Sequence, residues 1–288
     1  MRKHMVAAAD GTPLYACEYG ARTRLTPVVC LPGLTRNAKD FETVAPGLAR
    51  ARSVVALDFR GRGLSGRADP MTYRPDQEAA DTLAVLDNLG ISHFAVIGTS
   101  RGGIVAMVMA ARALDRMAGV AFNDIGPRID REGLLRIRNY LGKDQPFADW
   151  GEAVAALKST NPGFPGLGEH EWLAFARRVY REQDGRPRAD YDMGLSQNFP
   201  PPEDIASGKM PELWGLFEML KPLPCLVLRG ENSDLLSEAT VAEMQTRHPA
   251  LATATIPRRG HVPFLDEPES LAAIDDWLAA VDRLHTKR

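Results

Sequence analysis

The sequence predicts an α/β protein with a mostly parallel central sheet, helices on both faces, and a helical lid inserted after the strand that ends near Phe122. Two observations predict this class. Short apolar runs of strand length alternate with helical patterns along most of the chain, as they do where helices connect parallel strands. Between residues 126 and 221 the strand patterns stop, and amphipathic helical patterns broken by Pro-Gly pairs replace them. We therefore expect a core of residues 1–125 and 222–288 and a lid of residues 126–221.

The predicted elements follow in chain order. Apolar runs on either side of Asp10-Gly11 predict a hairpin at the start of the chain. Apolar, partly β-branched runs then predict buried strands at residues 27–31, 54–57, 94–97, 119–122, 224–228 and 252–256. Apolar side chains at helical spacing predict helices at residues 37–48, 79–89, 104–111 and 271–281. Gly90 is placed to end the second of these helices.

Composition excludes several classes of protein. The 288 residues suit one α/β domain with an insertion, and a net charge of −2 does not favour nucleic acid or an anionic membrane. No apolar run is long enough to span a bilayer, and Asp10-Gly11 interrupts the basic start before a signal-peptide core could form. Cys30 and Cys225 lie in apolar strand patterns, which favours reduced thiols. We expect a cytoplasmic monomer or homodimer without disulfides that binds neither nucleic acid nor membrane.

The stretch from Phe94 to Val105 organises the chain. It joins a buried-strand pattern to a helical pattern through Gly98-Thr99-Ser100-Arg101-Gly102, which has the form Gly-x-Ser-x-Gly. The pentapeptide alone also fits a glycine-rich turn with a capping serine. A strand before it and a helix after it are typical of a nucleophile elbow, in which glycines permit close packing and the helix N-terminus favours developing negative charge. Ser100 is therefore the predicted nucleophile.

A serine nucleophile needs a base, which a carboxylate orients. On a sheet of this kind the expected chain order is Ser, then Asp or Glu, then His. Asp234 and His261 each follow the carboxyl end of a predicted strand, the edge at which Ser100 lies. They are the predicted acid and base. The backbone N–H groups of Arg101, which follows the nucleophile, and of Leu34, in the loop after the strand at 27–31, are the predicted oxyanion hole.

These motifs together resemble the α/β-hydrolase superfamily of serine hydrolases, in its lidded branch of enol-lactonases, carboxylesterases and C–C bond hydrolases. The resemblance covers nearly the whole chain outside the lid. It is carried by an ordered set of motifs: residues 31–33 (Leu-Pro-Gly), 58–65 (Asp-x-Arg-Gly-x-Gly-x-Ser), 98–103, 230–234 and 260–261 (Gly-His). Many relatives have His-Gly where this chain has Pro32-Gly33. Epoxide hydrolases of the same branch use an aspartate nucleophile, and Ser100 argues against that activity.

Two positions admit two interpretations. Asp124 also ends a strand, where some relatives place the triad acid, but Asp234 is preferred because Gly-x-x-x-Asp is the commoner form. Arg101 is unusual after the nucleophile. It is expected either to bind a substrate carboxylate or, as we prefer, to pair with Asp124 below the pocket.

The resemblance implies a serine hydrolase of small carboxylic esters or lactones that forms an acyl-enzyme and needs no cofactor or metal. One alternative is hydrolysis of a C–C bond in a ring-cleavage diketo acid, and another is a ligand receptor with vestigial hydrolysis. The aromatic side chains of the lid are expected to set substrate choice. The candidates for the substrate pocket are Trp150, Trp172, Trp214 and Asp124.

Overall fold

The computed structural model describes residues 1–143, 146–208 and 210–285. Eight strands of this described chain form one sheet in the order β1-β2-β4-β3-β5-β6-β9-β10. β1 and β2 form an antiparallel hairpin, β2 also runs antiparallel to β4, and the remaining neighbours are parallel. The predicted fold class is confirmed. The carboxyl ends of the parallel strands therefore lie at one edge, where an open α/β sheet places its site.

The strands of the main sheet lie close to their predicted positions, whereas β7 and β8 were not predicted. Their bounds are β1 Arg2–Ala7, β2 Pro13–Tyr19, β3 Val28–Leu31, β4 Val54–Leu57, β5 Phe94–Thr99, β6 Met117–Asn123, β7 Tyr180–Gln183, β8 Arg186–Ala189, β9 Cys225–Gly230 and β10 Ala252–Ile256. The central strands β3, β4, β5, β6 and β9 are buried at every residue. Continuous apolar runs predict such strands well because helices cover both faces of a parallel sheet.

The observed helices match the predicted helices less closely than the strands match theirs. Their bounds are α1 Ala45–Leu48, α2 Pro75–Asn88, α3 Arg101–Ala113, α4 Arg131–Tyr140, α5 Trp150–Thr160, α6 Glu169–Val179, α7 Pro202–Ala206, α8 Trp214–Glu218, α9 Glu238–Arg247 and α10 Pro268–His285. Gly90 follows α2 with φ +66°, as a helix-ending glycine does. The single helix predicted at 37–48 is wrong. A 3₁₀ turn at Ala38–Phe41 and the one-turn α1, which has a proline in its first turn, occupy that segment.

Two apolar layers sandwich the sheet. One contains side chains of α2, α3 and α8 packed on one face, and the other contains Phe41, Leu48 and the inner side of α10 packed on the opposite face. Cys17, Cys30 and Cys225 are free thiols buried in these layers. Burial on both faces fixes the strands in register, so the edge that carries Ser100 is a rigid platform.

The chain between β6 and β9 forms the inserted segment, which we call the insertion. It contains α4 to α8 and the antiparallel pair of β7 and β8. The prediction that this region lacks strands is therefore wrong; the Asp184-Gly185 turn joins the two short strands, and both of its residues have positive φ. The insertion has its own apolar cluster, built around Trp172, Phe164 and Phe175. Among the described helices, none is long and apolar enough to cross a membrane.

Candidate active site

The turn from β5 into α3 places Ser100 at the carboxyl edge of the sheet. Ser100 has φ +49°, in the left-handed region that non-glycine residues rarely adopt. A Cβ at Gly102 would lie 2.1 Å from the carbonyl oxygen of Leu31, and one at Gly98 would lie 2.6 Å from the nitrogen of Gly103. Only glycine fits at either position, so the packing that the sequence predicts for the elbow is present. It lifts the Ser100 hydroxyl above the N-terminus of α3.

His261 connects Ser100 to a carboxylate. Its Nε2 lies 2.9 Å from Ser100 Oγ, and its Nδ1 lies 2.8 Å from Oδ2 of Asp124. The loop that carries the imidazole is held in two places: the amide of Asn123 donates to the carbonyl of Pro263 at 3.0 Å, and the buried carboxylate of Glu267 accepts from the backbone N–H of Phe264 at 2.8 Å. The three side chains form the hydrogen-bonded relay that a nucleophilic serine requires.

Asp124 is the carboxylate of this relay, and it is fully buried. It directly follows β6, and its φ of +56° turns the side chain toward His261. Its Oδ1 accepts the backbone N–H of Gly230 at 2.8 Å, and its Oδ2 accepts the hydroxyl of Ser233 at 2.6 Å in addition to the imidazole. These donors satisfy the charge that burial would otherwise penalise.

The preference for Asp234 over Asp124 as the acid is wrong. Asp234 instead makes a bidentate ion pair with Arg136 of α4, with N–O distances of 2.5 and 2.8 Å. Burial opposes its ionisation, but the hydrogen bonds from Arg136 outweigh that and keep the pKa of Asp234 below its usual value. The physical reason is the course of the loop after β9. This loop directs Ser233 to Asp124, whereas Asp234, the next residue, turns toward the insertion.

The expectation that Arg101 pairs with Asp124 is also wrong. Its Nε donates to Oε2 of Glu78 at 2.6 Å, and a terminal nitrogen donates to the carbonyl of Tyr73 at 3.1 Å. Glu78 is fully buried and also faces Arg62 at 2.8 Å. Burial opposes ionisation of Glu78, but the two guanidinium groups outweigh it and lower its pKa. Arg101 thus has a structural partner in α2, and the alternative of a substrate carboxylate loses its basis.

The loop after β3 approaches Ser100 closely. A Cβ added to Gly33 would lie 3.9 Å from Cβ of Ser100, and Gly33 and Leu34 both line the cavity above the nucleophile. The buried guanidinium of Arg62 donates to the carbonyl of Leu34 at 2.8 Å, which fixes the loop. Leu34 therefore lies in a fixed loop at the cavity above Ser100, and Arg101 directly follows Ser100 as the first residue of α3.

The insertion covers this edge and encloses a cavity of about 170 Å³. That is close to the size of a cavity that holds one benzene molecule, so it suits a small substrate. Burial raises the pKa of Tyr140 and, to about 12, that of Tyr180. The insertion contributes most of the wall, through residues such as Arg136, Ile137, Tyr140, Phe147, Leu157, Phe175, Arg178, Val179, Tyr180 and Tyr191.

None of the three predicted tryptophans lines this cavity in the described structure. Trp172 packs with Phe164 and Phe175 in the core of the insertion. Trp150 lies under the guanidinium of Arg177, and Trp214 packs on Phe217 beside the main sheet. Smaller side chains line the cavity instead, because the large indoles are used as core.

Sequence reasoning missed the polar residues around the site. Ser233, which donates to Asp124, lies in the motif at residues 230–234, but a serine beside an aspartate does not by itself indicate this contact. Arg178 follows Phe175 by three residues on α6, so the helical stripe that buries Phe175 could have indicated that Arg178 faces inward. Arg136 is recognisable only once Asp234 is known to lie beside α4.

The comparisons with known proteins agree with this architecture. Residues 28–274 match the model of the alpha/beta hydrolase family. The chain is 32% identical over 262 residues to the 3-hydroxybutyrate-oligomer hydrolase of Cupriavidus necator, covering 88% of this chain and 89% of the relative. It is 28% identical over 257 residues to the 2-(acetamidomethylene)succinate hydrolase of Mesorhizobium japonicum, covering 86% of each.

A solved structure of an alpha/beta hydrolase has the same fold. An alpha/beta hydrolase from Novosphingobium aromaticivorans superposes with a TM-score of 0.89 at 40% identity, covering 97% of this chain and 98% of that one. The match extends over both the sheet and the insertion. The chain is a hydrolase and belongs to the alpha/beta hydrolase family.

Proposed function

We propose that the protein hydrolyses a small carboxylic ester or lactone through an acyl-enzyme, with Ser100 as nucleophile, His261 as base and Asp124 as the orienting carboxylate. The observation that carries this proposal is the unbroken relay from Asp124 through His261 to Ser100, with distances of 2.8 and 2.9 Å. The similarity to a 3-hydroxybutyrate-oligomer hydrolase supports an ester as the substrate.

The reaction follows from this geometry. Ser100 Oγ attacks the ester carbonyl while His261 Nε2 takes its proton, and Asp124 stabilises the imidazolium. The carbonyl oxygen becomes an oxyanion, for which the N–H groups of Leu34 and Arg101 are the proposed donors. The C–O bond to the leaving alkoxide then breaks, and His261 returns the proton to give the alcohol. Water, deprotonated by His261, hydrolyses the acyl-enzyme and frees Ser100.

The insertion supports the proposal as a wall that selects small acyl groups. Its helices α4, α5 and α6 supply apolar side chains at the cavity, while the sheet edge supplies the relay. We therefore propose that residues 126–221 act as a substrate-selecting lid over a core of residues 1–125 and 222–288.

A fluorophosphonate probe tests the nucleophile directly. The wild-type protein should be labelled at Ser100, and Ser100→Ala should fold, lose the label and lower kcat by roughly 10⁴- to 10⁶-fold on p-nitrophenyl acetate or on the linear dimer of 3-hydroxybutyrate. Labelling of Ser100→Ala at another residue would contradict the assignment. A wild-type protein that neither reacts with the probe nor cleaves esters or lactones would instead favour a ligand receptor.

A further inference from the structure

Arg178 is a cationic side chain in the wall of the same cavity as Ser100. It lies on the inner side of α6, three residues after Phe175 and next to Val179, and all three side chains line the cavity. Its guanidinium carbon is 4.9 Å from the centre of the Phe264 ring and 6.0 Å from that of Phe175. The planar group is therefore held against aromatic faces, and its position does not depend on a flexible stem alone.

The other two guanidinium groups in the described cavity wall are each bound by a carboxylate. The guanidinium of Arg36 is bound by the carboxylate of Asp40, and that of Arg136 by Asp234. Arg178 has no hydrogen bond or ion pair with any residue that the structure describes. Lys143 also lines the cavity, but its side chain is exposed to solvent. Among the arginines that line this mostly apolar wall in the described structure, Arg178 is thus the one without a carboxylate partner.

An unpaired cation in such a wall is costly without a partner. Burial lowers the pKa of Arg178; Asp40, Asp266 and Glu42 favour its charge only through space, and Arg36 opposes it. A guanidinium remains charged in proteins, so the N–H donors of Arg178 are available to bind an anion. The planar fork of an arginine matches a carboxylate with two parallel hydrogen bonds.

We propose that Arg178 binds a carboxylate of the substrate, so that the enzyme prefers small esters that carry a free carboxylate over their neutral analogues. This inference rests on the proposed ester hydrolysis at Ser100 and adds the charge class of the substrate. The carboxylate would enter the cavity beside Phe264 and Phe175, and its ester bond would lie over Ser100. Arg178 is then a residue that determines specificity, separate from the relay.

A structural role for Arg178 gives a different expectation. Stacking on Phe264 joins α6 to the loop that carries His261, so a purely structural arginine would affect every substrate alike. A matched pair of substrates separates the two roles. The linear dimer of 3-hydroxybutyrate carries a terminal carboxylate, and the same dimer with a terminal primary amide keeps the scissile ester and the size but loses the charge.

The experiment measures kcat/KM for both dimers with wild type, Arg178→Gln and the neighbouring control Arg177→Gln. Arg177 is exposed and lies outside the cavity. Wild type should prefer the acid. Arg178→Gln should lower kcat/KM for the acid by roughly 10- to 100-fold, mainly through KM, because a charge-assisted hydrogen bond to a non-reacting group is lost. Its kcat/KM for the amide should stay near that of wild type, and Arg177→Gln should change neither substrate.

Each other result overturns a distinct statement. Equal cleavage of acid and amide by wild type would refute the carboxylate preference and leave ester hydrolysis intact. An equal loss on both substrates in Arg178→Gln would show a structural role. If Arg178→Gln does not fold, Arg178→Lys replaces it. Because lysine keeps the charge but lacks the planar fork, a weaker preference for the acid with wild-type activity on the amide would support the proposal, and an equal loss on both substrates would overturn it. Cleavage of neither dimer, with no probe labelling of Ser100, would refute the proposed function itself.

Discussion

The carboxyl edge of the sheet and the insertion that covers it contribute to the site in different ways. At the sheet edge, each side chain of the relay follows a strand end or a tight turn, and buried backbone groups hold it from several sides. In the insertion, the cavity wall is formed by the inner faces of α4, α5 and α6, whose largest aromatic side chains are used for their own core. The relay therefore lies at the buried edge of the sheet, whereas most of the cavity wall comes from the insertion. Under the proposed function, the sheet edge performs the chemistry and the insertion selects the substrate.

The two carboxylates at neighbouring strand ends give the sharpest test of this division. Asp124→Asn should lower kcat by about 10⁴-fold, because an amide at this position no longer holds His261 in the tautomer that accepts the serine proton. Asp234→Asn should keep most of the activity, since Asp234 binds Arg136 of the insertion and not the imidazole. Steady-state kinetics on a p-nitrophenyl ester measure both. The reverse ranking would return the acid to Asp234.

Substitutions in the cavity wall should change the preference among substrates and leave the reactivity of Ser100 unchanged. Ile137 lines the cavity from α4, so Ile137→Ala should enlarge it and shift the kcat/KM ratio between longer and shorter acyl chains by roughly 10- to 200-fold. Labelling of Ser100 by the probe should persist. Trp150→Ala is the matched change in the same unit outside the wall and should leave the chain-length ranking as in wild type. A shifted ranking in Trp150→Ala alone would mean that the cavity wall is assigned to the wrong residues.

The ion pair between the two regions should have a small effect. Arg136 and Asp234 are 23% and 31% exposed, so a double-mutant cycle of Arg136→Gln and Asp234→Asn should give a coupling of about 1 kcal/mol in the free energy of unfolding. Because the pKa of Asp234 is lowered in the folded protein, this stability is present above the unfolded value near 3.9 and is lost as the pH falls through the folded value. Urea unfolding from pH 7 downward measures it. A coupling that grows on acidification would contradict the assigned pair.

Much of the fold follows from local rules. The run Val54–Leu57 is found as a strand at the predicted bounds, since a parallel strand buried on both faces must be apolar along its whole length. Ala252–Ile256 is also found at its predicted bounds, although it lies at the edge of the sheet and only Ile256 is buried. The prediction of one helix over residues 37–48 fails because Pro46 would lie in the interior of that helix, where a proline removes a backbone hydrogen bond. Pro46 is tolerated in the first turn of a helix, which is where α1 places it. The pair of β7 and β8 was missed because charged side chains hide its alternation.

By itself, the sequence determined the fold class, the elbow at Ser100 and the position of His261 at the same sheet edge. Each depends on a backbone requirement that is visible in a few neighbouring residues. These are the glycines at positions where a Cβ would clash, and a strand pattern followed by a polar residue. Only the tertiary structure decided that Asp124, and not Asp234, meets the imidazole, and that Arg178 and Ile137, and not the tryptophans, face the cavity. Those choices depend on the packing of the insertion against the loops of β6 and β9, which lie up to about a hundred residues away along the chain.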